Sequence, residues 1–92
     1  MIRSFKCSST QALFEGKAVA LFVNFQSVAE RKLQMLHRAV VVDDLRVPPG
    51  NRLEALAGNR KGQHSIRING QWRVCFVWTE GDATHVEIVD YH

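Results

Sequence analysis

The stretch that decides the fold is Ser65–His92, which reads SIRINGQWRVCFVWTEGDATHVEIVDYH. In its middle part, Trp72, Val74, Phe76 and Trp78 alternate with side chains that are mostly polar. A period of two in a segment rich in aromatic and β-branched residues predicts a strand with one buried face. We interpret the whole stretch as successive strands, and its large apolar face requires a covering layer.

Burial selects the turn between the first two of these strands. An Asn-Gly pair between strand patterns is typical of a hairpin. A two-residue loop would mix core and solvent side chains on one face. A three-residue loop, Asn69–Gln71 with Gly70 at a positive φ, pairs Ile66 with Val74 instead. Because a one-residue slip would expose the apolar side chains, we predict the longer loop.

The predicted register also places two arginines, Arg67 and Arg73, directly opposite each other on the outer face of the sheet. Like charges paired across strands destabilise a sheet. The pairing therefore suggests an anionic partner. The alternative is that the two side chains are solvated and splay apart.

The preceding chain supplies helices that can cover the apolar face. Short strands are predicted at Ile2–Phe5 and Leu53–Ala57, and a first helix begins at Ser8 and ends near Gly16. A second helix begins at Ser27, because apolar residues recur at the spacing of one helical face: Ala29, Leu33, Leu36 and Val40. The predicted fold is α+β, an antiparallel four- to five-stranded sheet with two N-terminal helices packed on one face. The other face stays open and carries the arginines.

An apolar run, Ala18–Phe25, lies between the two predicted helices and has neither a clean helical nor a clean strand period. It is interpreted as a buried connector. The alternative is an exposed strip on which a partner protein docks.

Composition predicts one domain with a basic surface. The chain has 92 residues and a net charge of +3, and between Arg52 and Arg73 a single acid, Glu54, accompanies the basic residues Arg60, Lys61 and Arg67. Clustered basic residues on a small domain are typical of nucleic-acid binding. The two cysteines are not closely spaced, no signal peptide is recognisable and no run is long enough for a membrane helix. We therefore expect a cytoplasmic protein.

Motifs for several kinds of chemistry are missing from the sequence. There is no phosphate-binding Gly-rich loop, no Cys/His set at zinc spacing and no His-Glu-x-x-His. We expect neither a metal site nor a cofactor. The residues left for chemistry are Arg73, Tyr91, His92 and the glycine-flanked basic loop Gly58–Gly62.

Three segments together resemble a known family. The opening MIRSF, the block PPGNRLEALAGNRKGQHSIRINGQWRVCF and the terminal VEIVDYH are similar to HigB-type toxins of the RelE superfamily, particularly the GraT-like branch. The resemblance extends over essentially the whole chain and is weakest at Ala18–Phe25. The glycine-flanked basic loop, the Asn-Gly-Gln-Trp-Arg hairpin and the Asp-Tyr-His end are specific in combination.

The resemblance implies a microbial-ribonuclease-like fold and the toxin of a type II toxin–antitoxin system. Such toxins enter the A site of the 70S ribosome and cut messenger RNA without a metal ion. A HigA-like antitoxin with a helix-turn-helix domain neutralises them, and we expect the toxin–antitoxin complex to bind operator DNA through that antitoxin. No membrane partner is implied.

The resemblance also implies which residues act. The matching catalytic positions are Arg73, Asp90, Tyr91 and His92, and the expected RNA contacts are Arg60, Lys61, Arg67, Arg52 and Glu54. Arginine suits phosphate binding because its planar guanidinium is always charged, and histidine suits proton transfer near neutrality. Some family members carry His at the position of Glu54 and Lys at that of Ala57. Glu54 is either a substitute base or an ion-pair partner of Arg60 or Arg52.

Two other functions stay open at this point. The first is a non-catalytic RNA- or protein-binding module, in which the basic surface only docks. The second is a weakened toxin that survives mainly as an antitoxin partner.

Overall fold

Two helices precede a four-stranded sheet in the part of the chain that is described. A computed structural model describes residues 1–90, and Tyr91 and His92 lie outside the described residues. The helices are α1 (Ser8–Phe14) and α2 (Gln26–Arg38); the strands are β1 (Glu54–Ala55), β2 (Gln63–Arg67), β3 (Trp72–Thr79) and β4 (Asp82–Asp90). The strands pair antiparallel in the order β1-β2-β3-β4. The predicted α+β fold is confirmed.

The hairpin between β2 and β3 has the predicted register, with Ile66 opposite Val74. The predicted conformation of Gly70 is wrong, because its φ is not in the positive range. The side chain of Asn69 closes the loop instead. Its Oδ1 accepts the backbone N–H groups of Gln71 at 2.8 Å and Trp72 at 2.9 Å. This side-chain turn keeps the backbone in ordinary regions, so no glycine is required.

A set of three variants tests this account of the loop. Asn69→Ala should lower the free energy of unfolding by about 1–2 kcal/mol, because two backbone donors lose their acceptor. Gly70→Ala should change it by less than about 0.5 kcal/mol, whereas Gly62→Ala should cost about 1 kcal/mol or more, because Gly62 has a φ of 94°. Urea denaturation measures all three. Equal losses for the two glycine variants would contradict the account.

The core lies between α2 and the inner face of the sheet. It contains the inward residues of α2 (Ala29, Leu33 and Leu36) together with Val74 and Phe76 of β3, and Trp72 and Trp78 pack at its margin. The predicted cover for the aromatic face is therefore confirmed. Val40 was assigned wrongly to this face and is 74% exposed. The reason is that α2 ends at Arg38 and the chain continues from Ala39 in an extended conformation.

The apolar run between the helices has an inner and an outer side. It forms a 3₁₀ helix, Ala20–Phe25. Phe22 is buried, and the rings of Phe22 and Phe25 lie 5.9 Å and 5.2 Å from that of Trp72. The connector interpretation is thus correct for the inner side. Leu21 and Val23 face outward and are 62% and 65% exposed.

The start of the chain lies along the outer edge of β4. Ile2 pairs with Ala83 and Phe5 with Val86, both in parallel orientation, so the segment forms two separate bridges and not the predicted continuous strand. Arg3 fixes this segment through a 3.1 Å contact between its Nε and Oδ2 of Asp82. The hydrogen bond from Arg3 holds the pKa of the Asp82 carboxyl below its ordinary value.

A bulge in β4 determines which side chains reach each face. The pairing shifts between Cys75 and Val77, and His85 has a φ of 53°. One extra residue therefore stands in β4 opposite Phe76, as in a β-bulge. After the bulge, Val86 and Ile88 are buried in the core and Glu87 points to the opposite face. No helix among residues 1–90 is long and apolar enough to cross a membrane.

Candidate nucleic-acid interface

The face of the sheet turned away from the helices is called the open face. One row of paired residues crosses it through all four strands: Glu54, Ser65, Cys75 and Glu87. The next row contains Arg67, Arg73 and Val89. The basic loop, Gly58–Gly62, borders this face between β1 and β2. Pleating puts these side chains opposite the buried Val74 and Phe76.

Arg73 is anchored by partners on three neighbouring segments. Its Nε donates to Oγ of Ser65 at 2.7 Å, and its Nη2 donates to the carbonyl oxygen of Arg52 at 2.7 Å. Oε1 of Glu54 lies 3.7 Å from Nη2, and 11% of the Arg73 side chain is exposed. Glu54 therefore pairs with Arg73, and the expected pairing with Arg60 or Arg52 is wrong. These contacts fix the guanidinium at one place on the open face.

The two arginines that face each other in register do not compete for the same space. Arg73 turns toward Ser65 and Glu54, while Nη2 of Arg67 lies 3.8 Å from where a side chain on Gly70 would begin. The alternative is therefore correct in that the two side chains splay apart, but wrong in that Arg73 is not solvated: only 11% of its side chain is exposed. The repulsion between the two arginines is relieved by partners within the same chain, Glu54 and the carbonyl oxygen of Arg52. The arginine pair by itself therefore does not indicate an anionic partner.

A second cationic group forms around Glu87 on β4. Nη1 of Arg60 donates to Oε1 of Glu87 at 2.8 Å and to Oε1 of Gln63 at 3.2 Å. Nζ of Lys6 lies 3.8 Å from the same oxygen of Glu87. Neither Lys6 nor Glu87 was among the predicted site residues. Their contribution depends on the N-terminal segment lying beside β4 and on the bulge, and neither placement has a local sequence signal.

Cys75 lies in the middle of the open face but is buried. Burial raises the pKa of its thiol, and the neighbouring Arg60 opposes that effect. A buried thiol with a raised pKa stays protonated at neutral pH and is a poor nucleophile. Cys75 therefore serves as packing beneath the charged side chains.

Arg52 and Lys61 are exposed, at the edge of the open face. Arg52 adopts a left-handed conformation, with φ 46° and ψ 54°, directly after the 3₁₀ helix Pro49–Asn51. Asn51 is buried, accepts a hydrogen bond from Nζ of Lys32 on α2, and donates one to the carbonyl oxygen of Leu45. This polar anchor, which sequence reasoning also missed, fixes the segment whose carbonyl group holds Arg73.

The end of β4 separates Asp90 from Arg73. Asp90 pairs in register with Trp72, and its Oδ2 accepts a hydrogen bond from Nε2 of Gln71 at 3.0 Å. Paired residues of antiparallel strands project from the same face. Asp90 therefore lies on the side of Trp72, and Val89 is the residue opposite Arg73. The predicted catalytic residues Tyr91 and His92 lie outside the described residues.

The described site is cationic and has no cluster of metal ligands. Among residues 1–90, no group of three or more His, Cys, Asp or Glu side chains is arranged to hold a metal ion. Arginine and lysine side chains that are placed by hydrogen bonds are suited to binding phosphate groups. The arrangement can therefore hold the backbone of a nucleic acid.

Comparison with known proteins gives concordant results. A family model described as RelE-like toxin of type II toxin–antitoxin system HigB matches residues 4–92. Toxin HigB-1 of Vibrio cholerae is 55% identical over 53 residues, which are 58% of this chain and 56% of that protein. Endoribonuclease HigB of Proteus vulgaris is 36% identical over the full length of both chains.

The fold comparison agrees with the family match. The crystal structure of YafQ from Escherichia coli superposes with a TM-score of 0.64, covering 98% of this chain and 93% of that one. At 11% identity this likeness shows the fold alone. The family model, in contrast, matches nearly the whole sequence, including the described open face and the end of the chain. The chain therefore belongs to the HigB family of RelE-like toxins from type II toxin–antitoxin systems.

Proposed function

We propose that this chain is a metal-independent endoribonuclease that cuts messenger RNA in the A site of the ribosome. The observation that carries the proposal is the anchored guanidinium of Arg73 on a cationic open face. The full-length relative from Proteus vulgaris, which bears the name of an endoribonuclease, supports the same activity. RNA binding by the open face follows from its charge, because phosphate contacts supply most of the non-specific affinity.

The proposed reaction uses the RNA as its own nucleophile. The ribose 2′-oxygen attacks the adjacent phosphorus, the bond from phosphorus to the 5′-oxygen breaks, and a cyclic phosphate forms. The 2′-hydroxyl proton goes to a base, and an acid gives a proton to the departing 5′-oxygen. In this scheme Arg73 neutralises charge that builds on the phosphate, and His92 is the acid or the base. Tyr91 stacks on a base or positions the phosphate, and Asp90 orients His92.

The remaining basic residues hold the RNA strand in this proposal. Arg60, Lys61, Arg67 and Arg52 contact phosphates along the border of the open face. Glu54 has a different position from the other predicted RNA contacts, since its carboxylate lies 3.7 Å from Arg73. We assign Glu54 to the alignment of Arg73, and its carboxylate, 3.7 Å from that guanidinium, is also a candidate base for the 2′-hydroxyl proton.

The family implies an antitoxin partner for this chain. We propose that this antitoxin is HigA-like, carries a helix-turn-helix domain and links the complex to operator DNA. We also propose that the toxin acts in the cytoplasm on the 70S ribosome. A small helix-turn-helix reading frame next to this one would support the assignment.

Primer extension on a translated message tests the proposed activity. The purified chain should cut the message at discrete sites when ribosomes are translating it. The same message should be cut far less without ribosomes, because in the proposal the ribosome presents the RNA to the open face. Equal cutting of naked and translated RNA would remove ribosome dependence. An intact message under both conditions would remove the nuclease function.

One observation favours a second function, that of a weakened toxin retained mainly to bind the antitoxin. Position 54 is a glutamate that pairs with Arg73, and position 57 is an alanine, which has no positive charge. Both differ from the His and Lys of some family members. In the same extension assay this second function predicts faint cutting by a chain that still forms a tight antitoxin complex.

A further inference from the structure

Glu87 is a carboxylate at a place where a nucleic-acid-binding surface should avoid one. It lies on the open face in register with Cys75, and 14% of its side chain is exposed. A negative charge there repels RNA, so by charge alone it weakens binding. Its contacts indicate what it contributes instead.

Glu87 joins two basic segments that are distant in sequence. Arg60 comes from the basic loop and reaches β4, where Nη1 lies 2.8 Å from Oε1 of Glu87. Lys6, from the segment that runs along the outer edge of β4, lies 3.8 Å from that oxygen. One carboxylate thus gathers two cations, and the group as a whole keeps a positive charge.

The basic loop needs such an anchor because its own backbone is permissive. It is bounded by Gly58 and Gly62, with φ of 61° and 94°, and neither would have a neighbour within 4 Å of an added side chain. Its backbone hydrogen bonds are local, such as that from the Lys61 N–H to the Gly58 carbonyl oxygen. The contact between Arg60 and Glu87 fixes the loop against β4, the strand at the opposite edge of the sheet.

We propose that Glu87 is a positioning residue that holds Arg60, and with it the basic loop, over the open face so that RNA meets a preformed cationic surface. This inference rests on the proposed function, since it concerns the same RNA. Fixing Arg60 before binding reduces the conformational entropy that is lost when the strand binds. The gain from preorganisation exceeds the repulsion between one carboxylate and the RNA.

The test measures binding of a fluorescent single-stranded oligoribonucleotide to four variants: Glu87→Ala, Glu87→Gln, Arg60→Ala and the double alanine variant. Glu87→Ala should weaken binding about tenfold, although it makes the protein more positive. Glu87→Gln, which keeps an acceptor for Arg60, should recover part of that loss. The double variant should bind no more weakly than Arg60→Ala, because both changes remove one coupled contact.

Salt dependence supplies a readout that a merely structural role would not move. Glu87→Ala and Arg60→Ala should each reduce the slope of log affinity against log salt by about 0.7, the value for one phosphate contact to a single strand. Glu15→Gln, which removes a carboxylate from the helical side, is the matched charge control and should leave the slope unchanged. Melting temperatures identify any variant that is unfolded, and Glu87→Gln and Arg60→Ala decide the matter if Glu87→Ala does not fold.

Tighter binding by Glu87→Ala, or additive losses in the double variant, would overturn the inference while leaving the nuclease intact. A wild-type chain that neither binds the oligoribonucleotide nor cuts a translated message would overturn the proposed function itself. The two failures are therefore distinguishable.

Discussion

Replacing Arg73 by alanine should lower the cleavage rate of a translated message by about 10²–10³-fold, the usual loss when one preorganised charge donor is removed from a transition state. Its guanidinium is held in one place by Ser65, by the carbonyl group of Arg52 and by Glu54, so the positive charge is in position before the RNA binds. Single-turnover cleavage on programmed ribosomes measures the effect on the chemical step.

Two further variants separate catalysis from folding. Arg73→Lys keeps the charge but loses the planar donor set, so it should recover only a small part of the rate. Arg67→Ala removes a proposed RNA contact from the same face at the paired position, so it should lower the rate by much less than Arg73→Ala does. Arg73→Ala also leaves the buried Ser65 without a partner and should cost about 1–2 kcal/mol of stability. Full cutting by folded Arg73→Ala would exclude the proposed phosphate role.

Replacing His92 by glutamine should lower the cleavage rate by about 10²–10⁴-fold, the range for a lost general acid or base. Glutamine keeps the approximate size and hydrogen-bonding capacity of the side chain but cannot take up or release a proton. The dependence of the rate on pH should also flatten in the variant near neutrality, where histidine titrates. The rate of message cleavage on programmed ribosomes, followed in quenched time courses across that pH range, measures both effects.

His85 provides the matched control for His92. It is an exposed histidine of β4 with a φ of 53°, and asparagine tolerates that conformation better than most residues. His85→Asn should cut at the wild-type rate with the wild-type pH profile. If His92→Gln behaves like His85→Asn, the proton transfer has to be assigned to another group.

The fold was predictable because burial leaves few choices for alternating strands. The apolar face of β3 fixes its parity, the parity fixes the hairpin register, and the register places Arg73 on the open face. The family assignment, which drew on three segments in combination, is confirmed by the match over residues 4–92. The predicted loop conformation was wrong because hydrogen bonds to the side chain of Asn69 close the turn without a glycine at positive φ.

The candidate site was predictable only in part, because its contacts join segments that are far apart in sequence. The carbonyl group that accepts a hydrogen bond from Arg73 belongs to Arg52. The preceding residue, the buried Asn51, fixes that segment through its hydrogen bond with Lys32 of α2. Glu87 lies on the open face because of the bulge in β4, and no glycine or other turn residue in the sequence marks the position of that bulge. The roles of Tyr91, His92 and Asp90 in cleavage stay predictions.

The N-terminal segment along β4 has a consequence for self-association. β4 spans Asp82–Asp90, and its outer edge would otherwise offer unpaired N–H and C=O groups to a second molecule; β1, at the opposite border, is only two residues long. Ile2 and Phe5 occupy that outer edge, and the ion pair between Arg3 and Asp82 holds the N-terminal segment there. Peeling Met1–Lys6 away would convert β4 into a template for strand addition, and the toxin would then tend toward cross-β aggregates.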